Sequence, residues 1–139
     1  MSSLRILKTT LLLIGASHLL IGFGLMFVPE FQVWCAHAYG ADFQWALRER
    51  YLVRIMGSFV FVIGTLSCLA ARSPLKSEIV VWALVEFFIL RNIHRHYYGA
   101  ELQSGFGVSS QVNNLTSVLF SLLALVLALT LVRAKSQKP

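Results

Sequence analysis

Residues 82–98 read Trp82-Ala83-Leu84-Val85-Glu86-Phe87-Phe88-Ile89-Leu90-Arg91-Asn92-Ile93-His94-Arg95-His96-Tyr97-Tyr98. No residue in the stretch breaks a helix. It starts as a lipid-soluble segment and ends in charge, with two tyrosines at the level where a membrane meets water. An ionisable side chain inside a membrane span is costly enough to be read as functional, with a partner elsewhere in the chain. The partners of Glu86 and Arg91 are therefore the first question.

The rest of the chain supports a membrane setting. Its 139 residues are 57% hydrophobic and 13% charged, and its mean hydropathy is +0.71, too apolar for the surface of an ordinary soluble domain. The net charge of +6 comes from bases scattered at helix ends, which fits membrane orientation and argues against nucleic acid as a partner. The run Leu11–Val28 follows Arg5 and Lys8 but is too long for a signal-peptide core and contains His18, so it is read as a retained span.

Four apolar segments are long enough to cross about 30 Å of hydrocarbon at about 1.5 Å per residue: roughly 4–28, 51–71, 79–97 and 115–132. The expected fold is all-α, an integral membrane antiparallel four-helix bundle forming a single domain over residues 1–139. Pro29 ends the first span, and Arg72-Ser73-Pro74 separates the second from the third by a link so short that these two must be antiparallel neighbours. The segment 30–50 carries Phe31, Trp34, Tyr39, Phe43 and Trp45 among few charges and reads as an aromatic loop lying in the interface, divided at Gly40. Residues 99–113, rich in Gly, Ser and Gln, read as a solvent-facing connection.

Arg5, Lys8, Arg72, Lys76, Arg133, Lys135 and Lys138 share one face with Glu78 as the only acid beside them. That excess places both termini in the cytoplasm. Gly15 and Gly22 in the first span, and Gly57 and Gly64 in the second, repeat at close to two helical turns. They mark stripes where backbones approach, either between spans or between two copies in a homodimer. Cys35 and Cys68 fall near opposite faces, too far apart for a disulfide within one chain.

Counting depth from the external ends puts His18 and Glu86 at a similar level, and Arg54 and Arg91 at another. Asn114, Ser117 and Ser121 of the fourth span complete a polar layer open to that side. Glu86, Arg91 and His94 share one broad face of the third helix; Asn92 and His96 fall on another, which must find water, headgroups or another protein. The layer has two readings: a salt-bridge network that fixes the register of the helices, or a cavity for a polar headgroup or small anion between Arg54 and Arg91. The candidate ligand- or partner-binding residues are His18, Arg54, Glu86, Arg91, His94 and Asn114.

Haem needs two imidazoles facing each other at matching depth. His18 sits mid-membrane, His94 and His96 near the surface and His37 in the loop, so haem is disfavoured and no cofactor is expected. His94 and His96 point to different sides of a helix, and no metal-binding spacing occurs. Nucleophile-elbow, phosphate-loop and dinucleotide patterns are absent from the sequence.

Arg54 and Gly57 opening the second span, Cys68-Leu69-Ala70-Ala71 closing it, Trp82, Tyr98-Gly99, Gly107-Val108 and Leu4-Arg5 together resemble the ergosterol-biosynthesis scaffold family, small four-span tethers of the endoplasmic reticulum. The layout is also similar to small DoxX-like four-span families, which have an arginine and a glycine at the start of a span. The first resemblance implies a compact bundle that docks sterol-pathway membrane enzymes; the charged run 91–96 and the aromatics around Trp34 and Trp45 depart from that pattern. The expected function is a non-catalytic membrane protein that binds lipids, a lipid-like or sterol-pathway ligand, or a membrane-enzyme partner. Its alternatives are a histidine-dependent redox subunit or enzyme, and a small carrier that uses the carboxylate of Glu86.

Overall fold

The computed structural model describes residues 2–41 and 45–137. Phe43, counted above in the loop, and Lys138 of the basic tail lie outside the described residues. Six helices are present among the described residues: α1 Ser3–Phe27, α2 Pro29–Ala38, α3 Leu47–Arg72, α4 Glu78–Tyr97, α5 Gly99–Phe106 and α6 Ser110–Ser136. Three of them, α1, α3 and α6, are long and apolar enough to cross a membrane. α4 has the length, but Glu86, Arg91 and Arg95 all fall within 79–96, so its composition alone does not place it with the other three.

Two expected loops are largely helical. Pro29 ends α1 and also starts α2, where its fixed φ suits the first helical position and Glu30 complements the helix dipole in the first turn. Gly40, at φ +70°, lies in the turn just past the end of α2, and α3 begins at Leu47 rather than Tyr51. The supposed connection 99–113 holds α5, closed by Gly107 in the left-handed region at φ +72°. Ser109 then caps α6, its hydroxyl accepting from the Val112 N–H at 3.3 Å.

α1 and α3 form the most extensive helix pair, and α4 and α6 the next. The first is a backbone-to-backbone seam. A Cβ added at Gly22 would stand 2.5 Å from the Phe61 nitrogen, and one at Gly64 would stand 2.6 Å from the Leu19 nitrogen. The register, Gly15 beside Gly64 and Gly22 beside Gly57, makes the two helices antiparallel. Both glycine stripes face each other inside the chain, the first of the two arrangements their spacing allows.

Asn92 meets Ser121 and Arg95 meets Asn113, which sets α4 antiparallel to α6. α6 also packs on α1, and α3 touches α4. One apolar core joins all four long helices through residues such as Leu11, Ala70, Val81, Phe88, Phe120 and Leu127. It fills the half of the molecule towards the 73–77 turn. In the half towards α2 and α5, polar side chains take its place.

Candidate functional site

The expected polar layer is not assembled as drawn. Glu86 is exposed on the outer face of α4, flanked by exposed Trp82, Ile89, Leu90 and Ile93, and Arg54 is exposed on α3. Neither is in an ion pair; among the described residues the ion pair present is Lys135–Glu78, 2.6 Å, at the opposite end. His18 does not reach Glu86. Its Nδ1 lies 2.9 Å from the Ile14 carbonyl, and its ring stands edge-on to Phe88, with 6.2 Å between centroids. Phe88 lies two residues beyond Glu86, which on a helix is the other side. His94 is exposed and rests on Tyr98 at 4.5 Å.

Arg91 does turn inward. Its guanidinium lies 5.0 Å from the Phe120 ring centroid and 5.6 Å from that of Phe87, held by aromatic faces rather than by an acid. One turn later Arg95 is buried, 8% exposed, with its guanidinium 5.9 Å from the Tyr39 ring centroid. Asn113 donates from its amide to the Arg95 carbonyl at 3.2 Å. The buried side chains of Arg95 and Asn113 were missed in the sequence. The available signal was position: Arg95 continues the inward stripe of Val81, Leu84, Phe88 and Arg91 at helical spacing.

Asn92, His96 and Asn114 share a second feature. Between α4 and α6 runs a groove of about 770 Å³, walled in its apolar length by Val85, Ile89, Ala124, Leu125 and Ala128. It continues into a hollow of about 390 Å³ bordered by Asn92, His96, Asn114, Ser117 and Ser121. Asn92 donates from Nδ2 to the Ser121 hydroxyl at 2.6 Å. The Asn92 carbonyl oxygen and the Ser117 hydroxyl are buried with no hydrogen-bond partner, so each retains capacity for a ligand. The groove thus grades from aliphatic at mid-helix to amide, hydroxyl and imidazole at the α2 end, with no acid in its walls. Those groups suit binding by hydrogen bonds and burial.

Among the described residues no group of three or more His, Cys, Asp or Glu side chains could hold a metal ion. Cys35 and Cys68 are free thiols. Burial in α2 pushes the Cys35 thiol above its ordinary value. Comparison with protein-family models, with curated proteins and with solved structures gave no match.

Proposed function

We propose that the protein is a four-span antiparallel membrane bundle, both termini cytoplasmic, that holds one lipid-like amphiphile in the α4–α6 groove without chemically changing it. The observation that carries this reading is the grading of the groove, whose aliphatic trough suits a tail or fused-ring body and whose polar end suits a hydroxyl or similar head. Two further features support it. The 20 residues of α4 are long enough to span at about 1.5 Å each. With Arg91 and Arg95 turned inward near one end, Glu86 is the only charge that α4 carries outward at mid-helix. The basic residues Arg5, Lys8, Arg72, Lys76, Arg133 and Lys135 all lie at the opposite end of the bundle from the groove's polar head.

A photoreactive sterol or long-chain alcohol incorporated into nanodiscs tests this reading. Crosslinks should map to peptides of α4 and α6 lining the groove and should fall when Ala128→Trp fills the trough. Labelling spread evenly over all outward faces, unaffected by Ala128→Trp, would refute it.

A second reading rests on a different surface. Glu86 sits within an outward apolar stripe, Ile79, Trp82 and Leu90, where an unpaired carboxylate is costly in lipid. A helix of a membrane-enzyme partner with a cationic or hydrogen-bonding side chain at that level would relieve the cost, in keeping with the likeness to scaffold proteins. A crosslinker at Leu90 should then capture one defined helix, and Glu86→Leu should abolish the capture.

A further inference from the structure

We propose that Arg91 and Arg95 form an anion site, distinct from the amphiphile groove, between α4 and α6 at the end where the Tyr39 ring lies over Arg95, and that it takes a carboxylate or phosphate group. Each side chain ends in a guanidinium, a planar fork of N–H donors with no acceptor. They stand one turn apart on the inward side of α4, and among the described residues no carboxylate is paired with either: the ion pair there lies at the far end, between Lys135 and Glu78. Glu49, in the first turn of α3, has a buried oxygen of its own without a partner, yet forms no ion pair with Arg95.

The unpartnered atoms of Arg95 indicate the chemistry. Nε and Nη2 are both buried and both lack an acceptor. Together they form the side-on edge with which arginine grips two oxygens of a carboxylate or phosphate through parallel N–H bonds. A buried charge left without a counterion is among the most expensive features a fold can carry. Arg91, braced on Phe87 and Phe120, adds a second positive charge without using its N–H groups on an acid.

One acceptor on the facing helix completes the site. The Asn113 carbonyl oxygen is buried and unpartnered, and accepts a hydrogen bond from a singly protonated phosphate or from a water that enters with the anion. Tyr39 covers Arg95 from the end of α2 and is itself 43% exposed, so the anion enters past a side chain that can swing away. The same group is offered by a dissolved anion or by the head of an acidic lipid.

The test uses the full chain in phosphatidylcholine nanodiscs, titrated with inorganic phosphate or acetate, and in nanodiscs that also contain phosphatidic acid, with thermal unfolding as readout. Wild type should gain stability in at least one arm: the first identifies a dissolved anion, the second a lipid head. Arg95→Gln should weaken anion affinity about 10–100-fold, the loss of a charge-assisted pair. Without anion it should unfold no lower than wild type, because an unpaired buried charge has been removed. Arg95→Lys keeps the charge but not the paired edge, and should weaken binding about tenfold or more. Arg54→Gln, an outward arginine, should keep the full stabilisation. The proposal is overturned if no anion stabilises wild type in either arm, if Arg95→Gln or Arg95→Lys binds as tightly as wild type, or if Arg95→Gln is destabilised without anion.

Discussion

Asn92 donates to the hydroxyl of Ser121 across 2.6 Å, and this bond fastens α4 to α6 where the groove passes from apolar to polar. The amide's own carbonyl oxygen stays unpartnered. Replacing Asn92 with Leu should therefore cost about 1 kcal/mol of stability for the lost bond. It should also weaken amphiphile binding about tenfold, read by competition against a photoreactive sterol. A variant that lost stability and kept full affinity would confine Asn92 to a packing role.

The glycine seam between α1 and α3 sets a sharper contrast. Gly22→Ile has backbone atoms of Phe61 in its way, and should lower stability in detergent by at least the roughly 1–3 kcal/mol typical of overpacking. Gly105 on α5 meets nothing within 4 Å, so Gly105→Ala should be neutral or gain about 0.5–1 kcal/mol from its helix preference. Thermal unfolding of the two side by side checks the seam.

Much of this arrangement could be read from the sequence, for reasons specific to particular residues. The glycines at two-turn spacing showed the seam because only a missing Cβ lets helices meet by backbone. Arg72-Ser73-Pro74 showed the turn because proline cannot continue a helix. Pro29 hides α2 because a proline after an apolar span reads as a stop, although proline followed by an acid also opens a helix. α5 was hidden by flanking Gly and Ser, although Ala100-Glu101-Leu102-Gln103 are good helix formers. Depth counting placed Glu86 beside His18, but depth carries no azimuth. The angle around α4 sends Glu86 out and Arg95 in, and a polar layer is built from angle as much as from height.

The outward Glu86 yields a prediction opposite to that of a salt-bridge network. Glu86→Leu should leave the unfolding temperature of the isolated protein unchanged or raise it, because no internal cation is deprived of a partner. Breaking a buried pair would instead cost about 3–5 kcal/mol. Thermal unfolding in nanodiscs separates the two.

α2 is pinned by Gln32, buried at 2% exposure, which donates to the Leu25 carbonyl at 2.7 Å. With burial raising its pKa, the Cys35 thiol stays protonated to higher pH than a free cysteine. Alkylation at neutral pH should accordingly be slow and should quicken as pH rises, since the thiolate is the nucleophile. Gln32→Ala should release α2 and speed the reaction at fixed pH; equal rates in both proteins would show that Gln32 does not hold the helix down.

The most direct test is a density map of the protein purified in lipid, with wild type and Ala128→Trp compared. The amphiphile reading predicts an elongated non-protein feature between α4 and α6 in wild type, one end of it against Asn92, His96 and Asn114, and its loss in the variant. A groove filled only by disordered bulk lipid in both maps, with ordered density elsewhere, would contradict it.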